Sequence, residues 1–305
     1  MANPAYVAVD WGTSSFRLWL IGADGNILGE RRSGEGMMTA AKTGFADVLN
    51  AHLAALSVPE SVPVIACGMV GAKQGWVEAG YIDVPASLSS ILTGAVSVPG
   101  QSRDVRILPG LAQRDKAAPD VIRGEETQLL GALGPGGRGM QAVCMPGTHS
   151  KWVHVQDGDV IGFSTFMTGE LFDAISKHTI LSHAVAGADD ARADNSAFKA
   201  AVSTAFRQPA MATNLFFTAR SGQLLHGLTA TGAQAKISGT LIGLEIAGAL
   251  SDVPTDTPVT LVASGRLQSL YETAFKSLSL KYTSIDADTA VRRGLSAAAE
   301  AIWSN

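Results

Sequence analysis

Three short runs carry side chains suited to handling phosphate. Asp10-x-Gly12-Thr13-Ser14 sets a carboxylate beside a loop of backbone N–H groups and hydroxyls, and Pro146-Gly147-Thr148-His149-Ser150 offers a second loop of the same kind. Phosphate oxygens take such donors, and a neighbouring carboxylate can hold Mg2+ directly or through water. Gly124-Glu125-Glu126 is the best paired-carboxylate run in the chain, and a carboxylate can orient or deprotonate a hydroxyl in acid–base chemistry. Each run also has a plain structural reading. Asp, Gly, Thr and Ser are ordinary turn residues, and acids in the first turn of a helix complement its dipole. Glu170 in Met167-Thr168-Gly169-Glu170 is open in the same way: a second base, a ligand to a hydroxyl, or a helix N-terminal acid.

Such loops need strands to hold them. Tyr6-Val7-Ala8-Val9 is a buried-strand signal running into the first loop, followed by a strand at 16–21, an Asp24-Gly25 turn and a strand at 27–31. The order recurs as a strand at 142–145, the second loop, a strand at 151–155, an Asp157-Gly158 turn and a strand at 160–163. Gly12 and Gly147 lie 135 residues apart, and the two turn glycines lie 133 apart, an offset that marks a duplicated domain. Helical patterns fall at 43–56, 125–133, 169–183, 196–207, 238–250, 267–278 and 288–303, and a strand at 259–263 ends in Ser264-Gly265. Within 238–250 the small residues Gly243, Ala247 and Gly248 permit close helix packing.

Composition narrows the class. The 305 residues are 46% hydrophobic with a net charge of −4, which excludes disorder, and the length favours two domains. No Lys/Arg cluster supplies the field a nucleic-acid binder needs. The longest apolar stretches, near 62–72 and 240–250, fall short of the roughly 18 residues that span a membrane. No charged n-region precedes Asp10, so the expectation is a cytoplasmic chain with Cys67 and Cys144 as reduced thiols. His178 and His183, five apart, do not share a helix face as a metal pair would. The 33 glycines ask for many tight turns or for backbone brought close to ligands.

The two loops, each followed by a hairpin, and the late strand ending in Ser264-Gly265 resemble the phosphate and adenosine segments of the actin, hexokinase and Hsp70 ATPases. Six runs more specifically resemble 2-dehydro-3-deoxygalactonokinases, in order between residues 6 and 183. They are Trp11-Gly12-Thr13-Ser14-Ser15-Phe16-Arg17, Cys67-Gly68-Met69-Val70-Gly71, Gly75-Trp76-Val77-Glu78, Arg123-Gly124-Glu125-Glu126-Thr127-Gln128, Pro146-Gly147-Thr148-His149-Ser150-Lys151-Trp152 and Met167-Thr168-Gly169-Glu170-Leu171-Phe172. Ser14-Ser15 departs from the Thr and Asn expected there, which leaves that loop's side-chain contacts open but not its backbone donors.

The resemblance implies an α/β, two-lobed actin-like ATPase (ribonuclease H-like) fold of duplicated mixed sheets with flanking helices. It implies a domain at 1–141 with substrate-binding loops and an ATP-binding domain at 142–305 whose last helix packs back toward the first. It further implies ATP and Mg2+ as cofactors, and transfer of the γ-phosphoryl group to the 6-hydroxyl of 2-dehydro-3-deoxy-D-galactonate in galactonate catabolism. Within that reading Asp10 suits the metal and Glu126 the base, with Glu170 its rival. Gly12, Thr13, Ser14, Gly147, Thr148 and His149 suit the phosphate cradle, and Ser264 and Gly265 the nucleotide. Glu35, Arg17, Trp76 and Arg123 are candidates for the sugar acid, with Arg106 and Lys151 as further cations; Trp76 and Tyr81 serve either sugar stacking or the core. The partners expected are a small sugar acid and ATP, with no nucleic acid or membrane, and a homodimer is left open. A phosphohydrolase of the exopolyphosphatase type is the alternative, with Glu126 orienting water instead of a sugar hydroxyl.

Overall fold

The computed structural model describes residues 3–134, 138–189 and 193–303. The chain divides into two compact units: Met1–Gly139 with Val155–Gly162 and Ala287–Asn305, and Met140–His154 with Phe163–Asp286. The first opens with β1 (Pro4–Trp11), β2 (Phe16–Gly22) and β3 (Ile27–Ser33), then α1 (Met37–Thr43), α2 (Phe45–Ala55) and β4 (Val64–Gly68). It continues through β5 (Tyr81–Asp83), β6 (Ala86–Ser87), α3 (Leu88–Thr93), β7 (Val96–Ser97), β8 (Val105–Ile107), β9 (Gly110–Gln113), β10 (Asp120–Ile122) and α4 (Glu125–Leu133). β11 (Met140–Met145), β12 (Ser150–Gln156) and β13 (Asp159–Phe166) follow, then α5 (Thr168–His178), α6 (Ser182–Val185), α7 (Ser196–Arg207), α8 (Ala212–His226) and α9 (Ala230–Ala249). β14 (Val259–Val262), α10 (Gly265–Ser277) and β15 (Tyr282–Ile285) complete the second unit, and α11 (Ala287–Trp303) belongs to the first.

The two units repeat one strand order. In the first, β3-β2-β1-β4-β8-β7 places an antiparallel meander beside β4, which runs parallel to β1, and β8, which runs parallel to β4. In the second, β13, β12 and β11 lie beside β14 and β15, with β11, β14 and β15 parallel. Three consecutive strands flanked by two later parallel ones is the ribonuclease H-like order of the actin-type ATPases, present here twice. The hairpin turns have local causes. Asp157 and Gly158 both take left-handed backbone (φ 52° and 89°), as a tight type I′ hairpin demands.

Alternation along β1 divides the first unit's core. Val7 and Val9 pack with Phe16, Leu18, Val48 and Leu53 on the α2 side, while Ala8 packs with Trp19, Ile65 and Cys67 against Val291, Leu295 and Ala298 of α11. That period of two is what a sheet covered on both faces requires. α4 and α11 meet at backbone distance: a Cβ on Gly131 would fall 1.8 Å from the Ala290 carbonyl oxygen, and one on Gly294 2.0 Å from that of Thr127. This contact fixes the two helices whose first turns carry Glu125, Glu126 and Asp288.

The helical pattern at 169–183 resolves into α5 and α6, separated by an extended Thr179. The Thr179 hydroxyl donates to the Ile175 carbonyl and accepts the Leu181 N–H, so a side chain competes with the helix ladder. Among the described residues no helix is long and apolar enough to cross a membrane.

Candidate active site

In the first unit the site grows from the end of β1. Asp10 pairs in register with Arg17 of β2 and with Cys67 of β4. Its carboxylate, 19% exposed, lies 3.4 Å from Arg17 Nη1, which also donates to Asp288 at 2.9 Å. Asp288 in turn accepts from Arg32 at 2.6 Å. Burial pushes the Asp10 carboxyl up to about 6; Arg17 opposes the rise, and Asp288 and Glu125 add to it. Beyond burial, three carboxylates, Asp10, Asp288 and Glu125, gather here against the guanidiniums of Arg17 and Arg32, a surplus of negative charge that a cation would relieve.

Two glycines bring α4 to this spot. Gly68 (φ 91°) and Gly124 (φ 105°) adopt left-handed backbone and lie against each other, and a Cβ on Gly68 would sit 2.8 Å from the Trp11 carbonyl. Glu126, the second residue of α4, is fully buried. It accepts the Gly124 N–H at 2.6 Å and the Thr127 hydroxyl at 3.0 Å. Burial first, and Glu125 second, push its carboxyl up to about 8 against the pull of those hydrogen bonds. Glu125 is part-exposed and accepts the Arg123 N–H at 3.1 Å.

The Gly12-Thr13-Ser14-Ser15 loop is pinned from behind by α1. Met37 N–H donates to the Gly12 carbonyl at 2.9 Å and Met38 N–H to that of Thr13 at 3.1 Å, while a Cβ on Gly36 would strike the Ser14 backbone at 2.5 Å. Thr13, Ser14 and Ser15 are left exposed. The second unit repeats the device. Glu170 N–H donates to the Thr148 carbonyl at 3.0 Å, and a Cβ on Gly169 would lie 2.6 Å from the Gly147 carbonyl oxygen. Each hydroxyl-rich loop thus has a helix start packed on it through a glycine.

In the second unit Gly147, Thr148, Thr168, Gly169 and Glu170 line one side of a cavity of about 320 Å³, with Arg266, Leu267, Leu270 and Tyr271 of α10 on another. That volume lies at the small end of ordinary ligand sites. Ser264 and Gly265 lead into the α10 turn, and the Ser264 hydroxyl donates to Asp286 at 2.6 Å. His149 and Glu170, both about half exposed, face each other at 2.5 Å. Beneath the loop, buried Glu245 accepts the Trp152 indole N–H and the Tyr271 hydroxyl, each at 2.7 Å, and Ser150 Oγ lies 3.0 Å from the same phenol oxygen.

The substrate candidates fall in several settings. Glu35 is tied to His52 Nε2 at 2.9 Å, a bond that with Ser33 lowers its carboxyl, and its carbonyl accepts the Trp11 indole N–H. Trp76 stacks on Phe45 (6.1 Å between rings, 9°) and packs against the core of the first unit, keeping part of its surface exposed. Arg17 is engaged by Asp10 and Asp288. Arg123 donates through Nη2 to the Gly80 carbonyl at 2.7 Å and lies over the Tyr81 ring at 4.4 Å; its buried Nε and Nη1 find no acceptor among the described residues. Sequence reasoning missed Asp288, His52 and Glu245. Glu245 had a visible signal, being a lone charge in the apolar 238–250 run, whereas Asp288 meets Arg17 across 271 positions.

Comparisons with known proteins bear on this geometry. A family model described as 2-keto-3-deoxy-galactonokinase matches residues 10–298. The "Probable 2-dehydro-3-deoxygalactonokinase DgoK1" of Rhizobium meliloti (strain 1021) is 63% identical over 298 residues, covering 98% of this chain and 97% of its own. The 2-dehydro-3-deoxygalactonokinase of Escherichia coli (strain K12) is 36% identical over 301 residues, covering 97% and 98%. A crystal structure described as a protein of this kind from Sinorhizobium meliloti superposes with a TM-score of 0.94 at 63% identity, over 98% of this chain and 99% of that one. These relatives are kinases by name and lend nothing to the phosphohydrolase alternative. The chain belongs to the 2-keto-3-deoxy-galactonokinase family.

Proposed function

We propose that this chain is an ATP-dependent sugar-acid kinase that transfers the γ-phosphoryl group to the 6-hydroxyl of 2-dehydro-3-deoxy-D-galactonate in the cytoplasm. Family membership supports the reaction class. The observation that carries the chemistry is the meeting of Asp10 with the acidic start of α4, where two carboxyls are pushed up to about 6 and about 8. Displaced carboxyl values of this kind mark acid–base sites.

Mg2+ suits this donor set. Among the described residues no group of three or more His, Cys, Asp or Glu could hold a metal by itself. Mg2+ ordinarily takes one or two carboxylates, several waters and the substrate's phosphate oxygens. Asp10, with Glu125 beside it, would supply the protein's share, and the ion would neutralise charge on the β- and γ-phosphates. Arg17 keeps Asp10 and Asp288 together. In the first unit the backbone of Thr13 and Ser14 offers N–H groups to phosphate oxygens, whereas the Gly12 N–H, expected in the same role, is held by the Ser15 carbonyl at 2.9 Å. In the second unit the backbone of Gly147 and Thr148 offers N–H groups of the same kind, with His149 held toward Glu170. The turn at Ser264 and Gly265 and the adjoining cavity take the nucleoside.

Glu126 is assigned as the base. A carboxyl near 8 becomes a stronger base once it loses its proton. Because Glu126 is sealed in this structure, that role requires substrate binding to uncover it. Glu125 is already part-exposed, so E125Q is the control that separates the pair. Arg123, whose buried donors lack acceptors, is the preferred cation for the sugar acid's carboxylate, with Glu35 and the exposed part of Trp76 left for its hydroxyls and carbon skeleton. The test is ADP release with ATP and a panel of 2-keto-3-deoxy sugar acids. Turnover led by the galactonate compound supports the reading, and ADP release that does not depend on any sugar acid overturns it.

A further inference from the structure

Between residues 195 and 244 the sequence carries Lys199, Arg207, Arg220 and Lys236 and no Asp or Glu, in a chain whose net charge is −4. These positions build α7, α8 and the first three-quarters of α9, which enclose a second cavity of about 350 Å³. Its walls are mostly apolar, with Ala200 from α7 and Leu215 from α8 among them, and Lys236 and His226 are the side chains there that can donate to a ligand. The two hydroxyls that line it are already engaged: Thr204 donates to the Ala200 carbonyl and Thr240 to that of Lys236, each at 2.8 Å.

Lys236 is half-buried, and among the described residues no ion pair or hydrogen bond engages its ammonium. Burial alone lowers it from the usual lysine range, with no carboxylate near enough to hold it up. A half-buried cation beside alanine and leucine side chains without a counter-charge carries a desolvation cost that an anion would offset. One cation matches one negative charge, whereas a phosphate dianion would bring uncompensated charge into the same walls. The nucleotide cavity uses the other face of α9, through Ser238, Leu241 and Ile242, so the helix separates the two.

We propose that the groove between α7, α8 and α9 binds a small monocarboxylate with an apolar body, separately from the nucleotide cavity. The probe is sodium hexanoate, titrated calorimetrically into the full chain saturated with ADP, with acetate and hexan-1-ol as comparisons. Hexanoate binds, and acetate and hexan-1-ol bind at least about tenfold more weakly, because the first lacks the body and the second the charge. K236M weakens hexanoate by about tenfold and leaves kcat/KM for ATP unchanged. Failure of hexanoate to bind, equal binding of hexan-1-ol or of acetate, or unchanged binding to K236M overturns the proposal. Should K236M not fold, A200F, which fills the groove and keeps the cation, must abolish hexanoate binding; retained binding overturns the proposal equally.

Discussion

Replacing Glu126 by glutamine separates what this carboxyl costs the fold from what it gives the reaction. Its folded-state value of about 8 stands above the ordinary 4.5 because it is fully buried beside Glu125. A raised carboxyl leaves stability untouched below its unfolded value. It costs about 1.4 kcal/mol for each pH unit between the two values and levels off above the folded one. At pH 7 the cost is about 3 kcal/mol, and by pH 8 about 4 kcal/mol. Glutamine keeps the local bonds: its carbonyl accepts the Gly124 N–H, and its amide donates to the Thr127 hydroxyl, which can turn to accept. E126Q is therefore more stable than the wild type at neutral pH, with melting raised by about 5 °C, and equal to it near pH 4.5. Melting curves from pH 4.5 to 8 supply the assay, and turnover, measured alongside, falls by about 10²-fold or more. A gain of the same size at pH 4.5 and pH 8, or a loss of stability at pH 8, refutes the electrostatic reasoning. Retained turnover in E126Q together with its abolition in E170Q moves the base to Glu170.

Other outcomes follow from the same geometry. D10N abolishes Mg2+-dependent turnover while preserving the fold, and full activity would refute the metal role. In the wild type, Asp10 gains its proton as pH falls through about 6, so activity at limiting Mg2+ drops there, and added Mg2+ moves the limb to lower pH; a limb insensitive to Mg2+ contradicts this. G169A drives a methyl group to within 2.6 Å of the Gly147 carbonyl, destabilises by about 1–3 kcal/mol, and raises KM for ATP more than KM for the sugar acid in steady-state kinetics. Y271F takes one donor from buried Glu245 and a partner from Ser150, costing about 1–3 kcal/mol in denaturant unfolding.

Local signals were the legible ones. The helix at 125–133 and the one at 196–207 match their sequence patterns end to end, because an acidic first turn after glycine and an Asn195 cap mark their starts within a few residues. The Asp-Gly turns and the repeated strand order could be read for the same reason. α8 could not: only Ala219 is buried along it, while Phe217, Leu224 and Leu225 are exposed, so its apolar residues never form the single stripe that periodicity detects. α9 starts eight residues before the expected 238, at a Thr229 cap whose hydroxyl accepts the Gly232 N–H. At the site, Asp10, the two loops and Glu126 were legible as residue types in short runs. What the runs could not disclose is how far Glu126 is buried, or that Arg17 serves Asp288, since both depend on α11 folding against α4 and β1.

The central claim is phosphoryl transfer to a sugar-acid hydroxyl, and the most direct measurement is 31P NMR of the products formed from ATP and 2-dehydro-3-deoxy-D-galactonate. The account predicts one sugar phosphomonoester, coupled to the C6 protons, for each ADP formed, with E126Q forming both about 10²-fold or more slowly. Inorganic phosphate accumulating with ADP, without a phosphorylated sugar, would contradict it.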